Sequence, residues 1–306
     1  MPLPVFAFLA LLALLAGPLK AQVEAVSLLG DSLRRPALAP EAEARLLAQL
    51  DSARIAYEAD STSAETLIWL GRRTAYLGRY RDAIAIYTDG IRKHPNDARL
   101  YRHRGHRYIT VRRLNDAVAD FQRAAELIHG KPDDVEPDGQ PNARNIPTST
   151  LQSNIWYHYG LALYLQGEFA RALEAYRECM KVSKNPDMLV ATSHWVYMTL
   201  RRLGQEAEAA QALEPITRDL EVIENGEYHR LLLMYKGELS PDSLLAPGAE
   251  TIGGVTAAYG VGNWHLYNGR AAEAEAVFRR IVATGPWAAF GYVAAESELF
   301  RGVVGR

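Results

Sequence analysis

Cysteine is almost absent from this sequence: Cys179 is the only one in 306 residues. A lone cysteine cannot close an internal disulfide, and no CxxC or Cys/His framework exists for a structural zinc, so packing has to hold the fold. An excess of either charge is lacking too. The formal charge of −2 carries no global basic signature, and nucleic acid is not the expected partner. There is no GxSxG and no glycine-rich phosphate loop, and no cofactor is implied. What is present in quantity is apolar residue, at 48% enough for a packed core.

The opening stretch "MPLPVFAFLALLALLAGPLKAQ" holds an apolar run from Val5 to Ala16, then Gly17-Pro18 and the small residue Ala21. The run is shorter than the ~20 residues of a bilayer-spanning helix and fits the ~7–15 of a signal h-region. Residues 1–21 therefore read as a signal peptide, cleaved near Ala21 and Gln22. An uncleaved anchor is the alternative, because no Lys or Arg precedes the run. Either way the remainder is expected outside the cytoplasm, periplasmic or secreted, with no stable membrane span after cleavage.

Self-similarity organises the rest. "LGRYRDAIAIY" from Leu77, "QGEFARALEAY" from Gln166, "LGQEAEAAQAL" from Leu203 and "NGRAAEAEAVF" from Asn268 each have Gly, then Ala five residues on, then a large residue four further. The Ala and the large residue share one helix face, and the Gly serves a turn between helices. Upstream lie further helix-period positions: Leu67, Leu70 and Gly71, then Tyr101, Gly105 and Tyr108, with Trp156 and Gly160, and Gly262 and His265, in the third and fifth copies. The pattern resembles the tetratricopeptide repeat, with a period of ~34 residues. The resemblance implies an all-α fold, an α-solenoid of helical hairpins, and a non-catalytic scaffold for protein or peptide partners. Gly71, Gly105, Gly160 and Gly262 are expected to let the two helices of a hairpin approach, with Tyr87, Phe121, Tyr176 and Phe278 filling the space between hairpins. Cys179 stands at a small-residue position and reads as a buried hydrophobe.

The expected organisation is a signal peptide at 1–21 and an amino-terminal segment with a capping helix at 22–63. Repeats one and two follow at 64–131, then an inserted Pro/Asp-rich loop at 132–152 and repeats three and four at 153–214. An irregular helical segment and loop fill 215–254, and 255–306 holds repeat five and a closing helix. Within the insertion Asp134, Glu136 and Asp138 mimic half a calcium loop, but its twelfth position is Asn145, which is not a bidentate carboxylate.

Two catalytic readings compete with the scaffold. Gly30-Asp31-Ser32-Leu33 resembles the nucleophile block of GDSL esterases, which would make Ser32 the nucleophile. That family also requires a GxND block and an Asp-x-x-His pair, and neither occurs here, so a capping or loop role for Asp31 or Ser32 is the simpler expectation. His103 and His106 have helical spacing for a metal, yet Arg102, Arg104 and Arg107 surround them and would repel a cation.

In tetratricopeptide arrays the first helix of each hairpin lines a concave groove. Carried over, the resemblance and one exposed face at i, i+4 spacing give Arg72 and Tyr76, Arg102 and His106, Tyr157 and Tyr164, His194 and Arg201, and Asn263 and Tyr267 as ligand-binding candidates. Residues 64–129 hold thirteen Lys and Arg against seven Asp and Glu, whereas the rest of the chain after the signal has twenty against twenty-nine. The asymmetry fits an acidic protein or peptide ligand, a carboxylate, a peptide carboxyl terminus or an anionic glycan, with a solvated face of arginines that holds no dedicated ligand as the alternative. His106 would add charge below its usual pKa of ~6.5 unless the arginines keep it neutral.

Overall fold

The turn glycines sit in the left-handed region: Gly78, Gly167, Gly204 and Gly269 have φ between 72° and 83°. There the lack of a Cβ lets one helix end and the next begin within three residues. The computed structural model describes residues 22–245 and 251–302; the expected signal segment lies outside the described residues. Among those described, five hairpins follow one another: α2 Ala64–Tyr76 with α3 Tyr80–Lys93, α4 Ala98–Thr110 with α5 Leu114–Ile128, α6 Leu151–Gln166 with α7 Phe169–Val182, α8 Pro186–Arg202 with the short α9 Glu206–Ala212, and α11 Ile252–Tyr267 with α12 Ala271–Thr284. Helix α1, Pro40–Ala59, packs on α2; α10, Gly226–Tyr235, packs between α8 and α11; and α13, Phe290–Arg301, follows α12.

The small residues on the first helices let the two helices of a hairpin approach, as expected. A Cβ on Gly160 would stand 2.6 Å from the Tyr176 ring, and one on Gly262 2.6 Å from Phe278. Gly71 and Gly105 meet Tyr87 and Phe121 in the same way. All four rings are fully buried, as is Cys179, whose thiol burial pushes up to about 11. Its sulfur lies 3.3 Å from the Thr192 hydroxyl.

The second hairpin departs from the pattern. Where the others have a turn glycine, it has Arg112, a non-glycine residue at φ 64°. This conformation costs a β-carbon-bearing residue about 1 kcal/mol or more. The side chain explains the choice. Its guanidinium, almost fully buried, reaches Glu296 of α13 at 2.6 Å and the carbonyl of Trp287 at 2.8 Å.

The segment containing Gly30-Asp31-Ser32-Leu33 is not a helix start: Gly30 and Asp31 lie in a turn, and Ser32 and Leu33 on a strand. It forms a hairpin of β1, Val23–Val26, and β2, Ser32–Arg34, paired Val26 with Ser32 and Ala25 with Leu33. The Ser27 hydroxyl accepts the Asp31 and Leu29 amides in the turn, where Gly30 has φ 98°. On β2 the buried Leu33 stands between exposed Ser32 and Arg34 with a two-residue period, whereas on β1 Glu24 and Ala25 are both buried at a register irregularity. The hairpin is pinned at both ends. The buried Glu24 carboxylate accepts the Arg81 amide in the first turn of α3, Trp287 donates to the Arg34 carbonyl at 2.8 Å, and the Leu28 amide donates to Glu296.

Candidate functional site

The first helices of the hairpins do bring the groove candidates onto one side, but that side is not one open groove. Its carboxy-terminal half is closed. Tyr164, His194 and Asn263 are completely buried and Tyr157 nearly so, against the expectation of an exposed face. Helices α10 and α13 cover them, which i, i+4 spacing on a single helix cannot reveal. The Tyr157 hydroxyl sits between Tyr228, at 2.8 Å, and the Trp195 indole N–H, at 2.7 Å. Asn263 donates to the Tyr164 hydroxyl at 2.9 Å and accepts from Arg202, which also pairs at 2.8 Å with the buried Glu298 of α13. His194 stacks with Tyr235, and burial pushes its imidazole down to about 3. Arg201 and Tyr267 remain half-buried at the rim, the guanidinium 4.5 Å above the ring, with Arg201 donating to Tyr197 and Asn268.

The amino-terminal half is roofed by the insertion. Its chain crosses the faces of α2 and α4: Glu136 pairs with Arg102 at 3.0 Å, and the Gly139 carbonyl accepts Arg73 at 2.8 Å beside Tyr76. The half-calcium-loop residue Glu136 is thereby turned onto an arginine and onto Asn154. The insertion is anchored at its ends by a bridge from Val135 to Thr150 and by Glu224, which accepts from Thr148 at 3.0 Å. Asp187, buried at the start of α8, accepts the amides of Ile223, Glu224 and Asn225 and so positions that anchor.

Under this roof lie Arg72, Tyr76, Arg102 and His106, brought together as expected. Arg102 donates to Nδ1 of His103 at 3.1 Å, so the proton of that neutral ring is on Nε2, facing Glu136. Burial, together with the neighbouring arginines, holds His103 and His106 well below the ordinary histidine range. Burial first, and then Arg107, His158 and Arg102, keep His106 neutral, and acid does not recruit it as a cation. His106 also packs on His158 and on Phe290, the first residue of α13, with ring centroids 4.6 and 5.0 Å apart. The sequence pattern marks the insertion and the closing helix but not that the insertion and Phe290 lie across the groove and divide it.

Between the roof and the hairpin ends opens a cleft of about 800 Å3. Ile68, Leu127, Ile128 and Val135 give it apolar walls; Arg72, Lys131, Asp134 and Glu136 also line it, as does Arg99, paired with Glu65 and Asp97 at 2.6 Å each. Ser32, by contrast, is exposed on β2, and among the described residues no histidine is hydrogen-bonded to it. It has no base there.

Residues 153–186, spanning α6 and α7, match the family model of the tetratricopeptide repeat. The hairpins are tetratricopeptide-like. No curated protein matches the sequence. Among solved structures, the chain is similar to YrrB, described as a TPR protein with an unusual peptide-binding site, at 14% identity over 77% of this chain and 93% of that one, with a TM-score of 0.45. It is also similar to a tetratricopeptide repeat protein from Parabacteroides merdae, at 14% identity over 82% of this chain and 93% of that one, with a TM-score of 0.48.

Proposed function

We propose that this protein is a non-catalytic binding scaffold outside the cytoplasm, holding a peptide or protein segment in the cleft at its amino-terminal hairpins. The observation that carries the reading is the cleft itself, about 800 Å3 of open space with apolar walls and charged edges in a helical-hairpin array. The charges lining it nearly balance, so an amphipathic segment suits it better than a purely acidic one. An acidic side chain reaches Arg102 only by displacing Glu136. The apolar run from Val5 to Ala16 supports export.

The test is selection of peptides from a random display library on the purified protein, followed by titration of the winners. Leu127→Glu, which puts a carboxylate on the cleft wall, should weaken them about tenfold or more, while Leu47→Glu on α1 should not. No enrichment, or equal binding by Leu127→Glu, sinks the reading. Aryl-ester hydrolysis that vanishes with Ser32→Ala would overturn its non-catalytic part. Intact mass from the envelope fraction should begin near Gln22, and a soluble cytoplasmic form retaining Met1 to Lys20 would overturn the location.

A further inference from the structure

Behind the cleft, separated from it by Arg72, His103 and Glu136, lies a second hollow of about 120 Å3 between α2 and α4. Arg72, Arg102 and Arg107 all line it, with Tyr76, His106 and a single carboxylate, Glu136. That carboxylate is already paired with Arg102 at 3.0 Å. The two histidines beside it are neutral and balance nothing.

Two guanidinium groups are left over. Arg72, only 9% exposed, makes no ion pair among the described residues; its guanidinium lies 4.4 Å over the Trp69 ring and donates a long hydrogen bond of 3.4 Å to the Tyr76 hydroxyl. Arg107 forms no ion pair among the described residues; its guanidinium lies 5.5 Å from the Tyr80 ring centroid. Asp138, the next acid along the insertion, has its carboxyl pushed up by burial and Glu224 despite Arg72 nearby, and forms no ion pair with Arg72 among the described residues. A cation withdrawn from water without a counter-charge, as Arg72 is, is costly, and the half-buried Arg107 borders the same hollow. At ~30 Å3 per water the hollow holds about four waters, or one tetrahedral oxyanion.

We propose that this hollow is a binding site for one small dianionic oxyanion of the phosphate or sulfate kind, gripped by Arg72 and Arg107 with the Tyr76 hydroxyl, while Arg102 stays paired with Glu136. Two unpaired forks match two negative charges, and guanidinium geometry suits oxyanion edges. The inference does not depend on a peptide in the cleft.

Calorimetry and thermal denaturation of the full protein at constant ionic strength in chloride test it. Inorganic phosphate and sulfate should bind one to one and raise the melting temperature, and acetate should do neither at the same concentration. Arg107→Gln, which breaks no ion pair, should weaken phosphate about tenfold or more, whereas Arg123→Gln should leave it unchanged. Tyr76→Phe, which removes one hydroxyl, should give a smaller loss in a folded protein. O-phosphoserine binding tighter than inorganic phosphate points to an esterified phosphate as the source, and the reverse order to the free ion. Leu127→Glu should retain phosphate binding even where it loses peptide, which separates the two readings. Absence of heat and of stabilisation with both anions, or an Arg107→Gln titration equal to the parent's, overturns the proposal.

Discussion

His158 and His194 are buried and held at about 3, His158 by burial first and then by Arg102, with its Nδ1–H donating to the Asn154 carbonyl, and His194 by burial alone. His103 and His106 are displaced in the same direction. For such a group the unfolded chain takes up its proton first as pH falls. Stability is whole above an unfolded value of ~6.5 and drains away below it, by up to ~1.4 kcal/mol per pH unit for each histidine. Melting temperature should therefore fall between pH 7 and pH 5, and His194→Gln should flatten that slope whatever it does to the absolute value; an unchanged slope would rule His194 out. Arg112 gives a second prediction. Arg112→Gly relieves about 1 kcal/mol of backbone strain but leaves Glu296 buried without its cation, for about 3–5 kcal/mol, so the variant should lose about 2–4 kcal/mol in denaturant titration. A stabilised variant would show that the turn, not the ion pair, dominates. Arg112 is also where the sequence was hardest to read: the search for Gly, Ala and a large residue finds four hairpins and passes over the second, because a tertiary partner overrides the local turn preference there.

Among the elements, the paired Gly and ring positions were legible because the contact they make is local, one helix to the next. Gly160→Leu should drive a side chain into Tyr176 and cost about 1–3 kcal/mol. The face opposite those glycines was legible only as a face. Periodicity places Tyr164, His194 and Asn263 on one side of their helices, yet whether water or another helix covers them depends on α10 and α13, far along the chain. The insertion was recognised by composition, while its path over α2 and α4 depends on Arg73, Arg102 and Glu224, which no short pattern joins. Gly139→Val, pushing into Tyr76, should lift this roof, seen as faster amide exchange in α2 and α4 with α11 and α12 unchanged. Uniform exchange across the array would show that the insertion merely decorates the surface.

At the scale of the whole molecule, repeat arrays are stabilised mainly by nearest-neighbour contacts and unravel from their ends. This one is tied across. Glu296 joins α13 to Arg112 and to the amino-terminal hairpin, and Glu298 joins it to Arg202. Urea unfolding should be a single transition by both circular dichroism and tryptophan fluorescence, and Glu296→Gln should separate the two probes. Non-coincident transitions in the parent protein would mean that the ties are too weak to couple the halves.

The same tie sets an order in time. Arg112 leaves the ribosome 184 residues before Glu296, a delay on the order of ten seconds or more at ordinary elongation rates. Throughout that interval a buried-to-be cation, and the His106 and His158 rings that Phe290 later covers, face solvent on a half-built array. The incomplete chain thus carries, for a limited time, a surface that the finished protein no longer has, and a chaperone that recognises exposed rings beside arginine would meet it only before α13 docks.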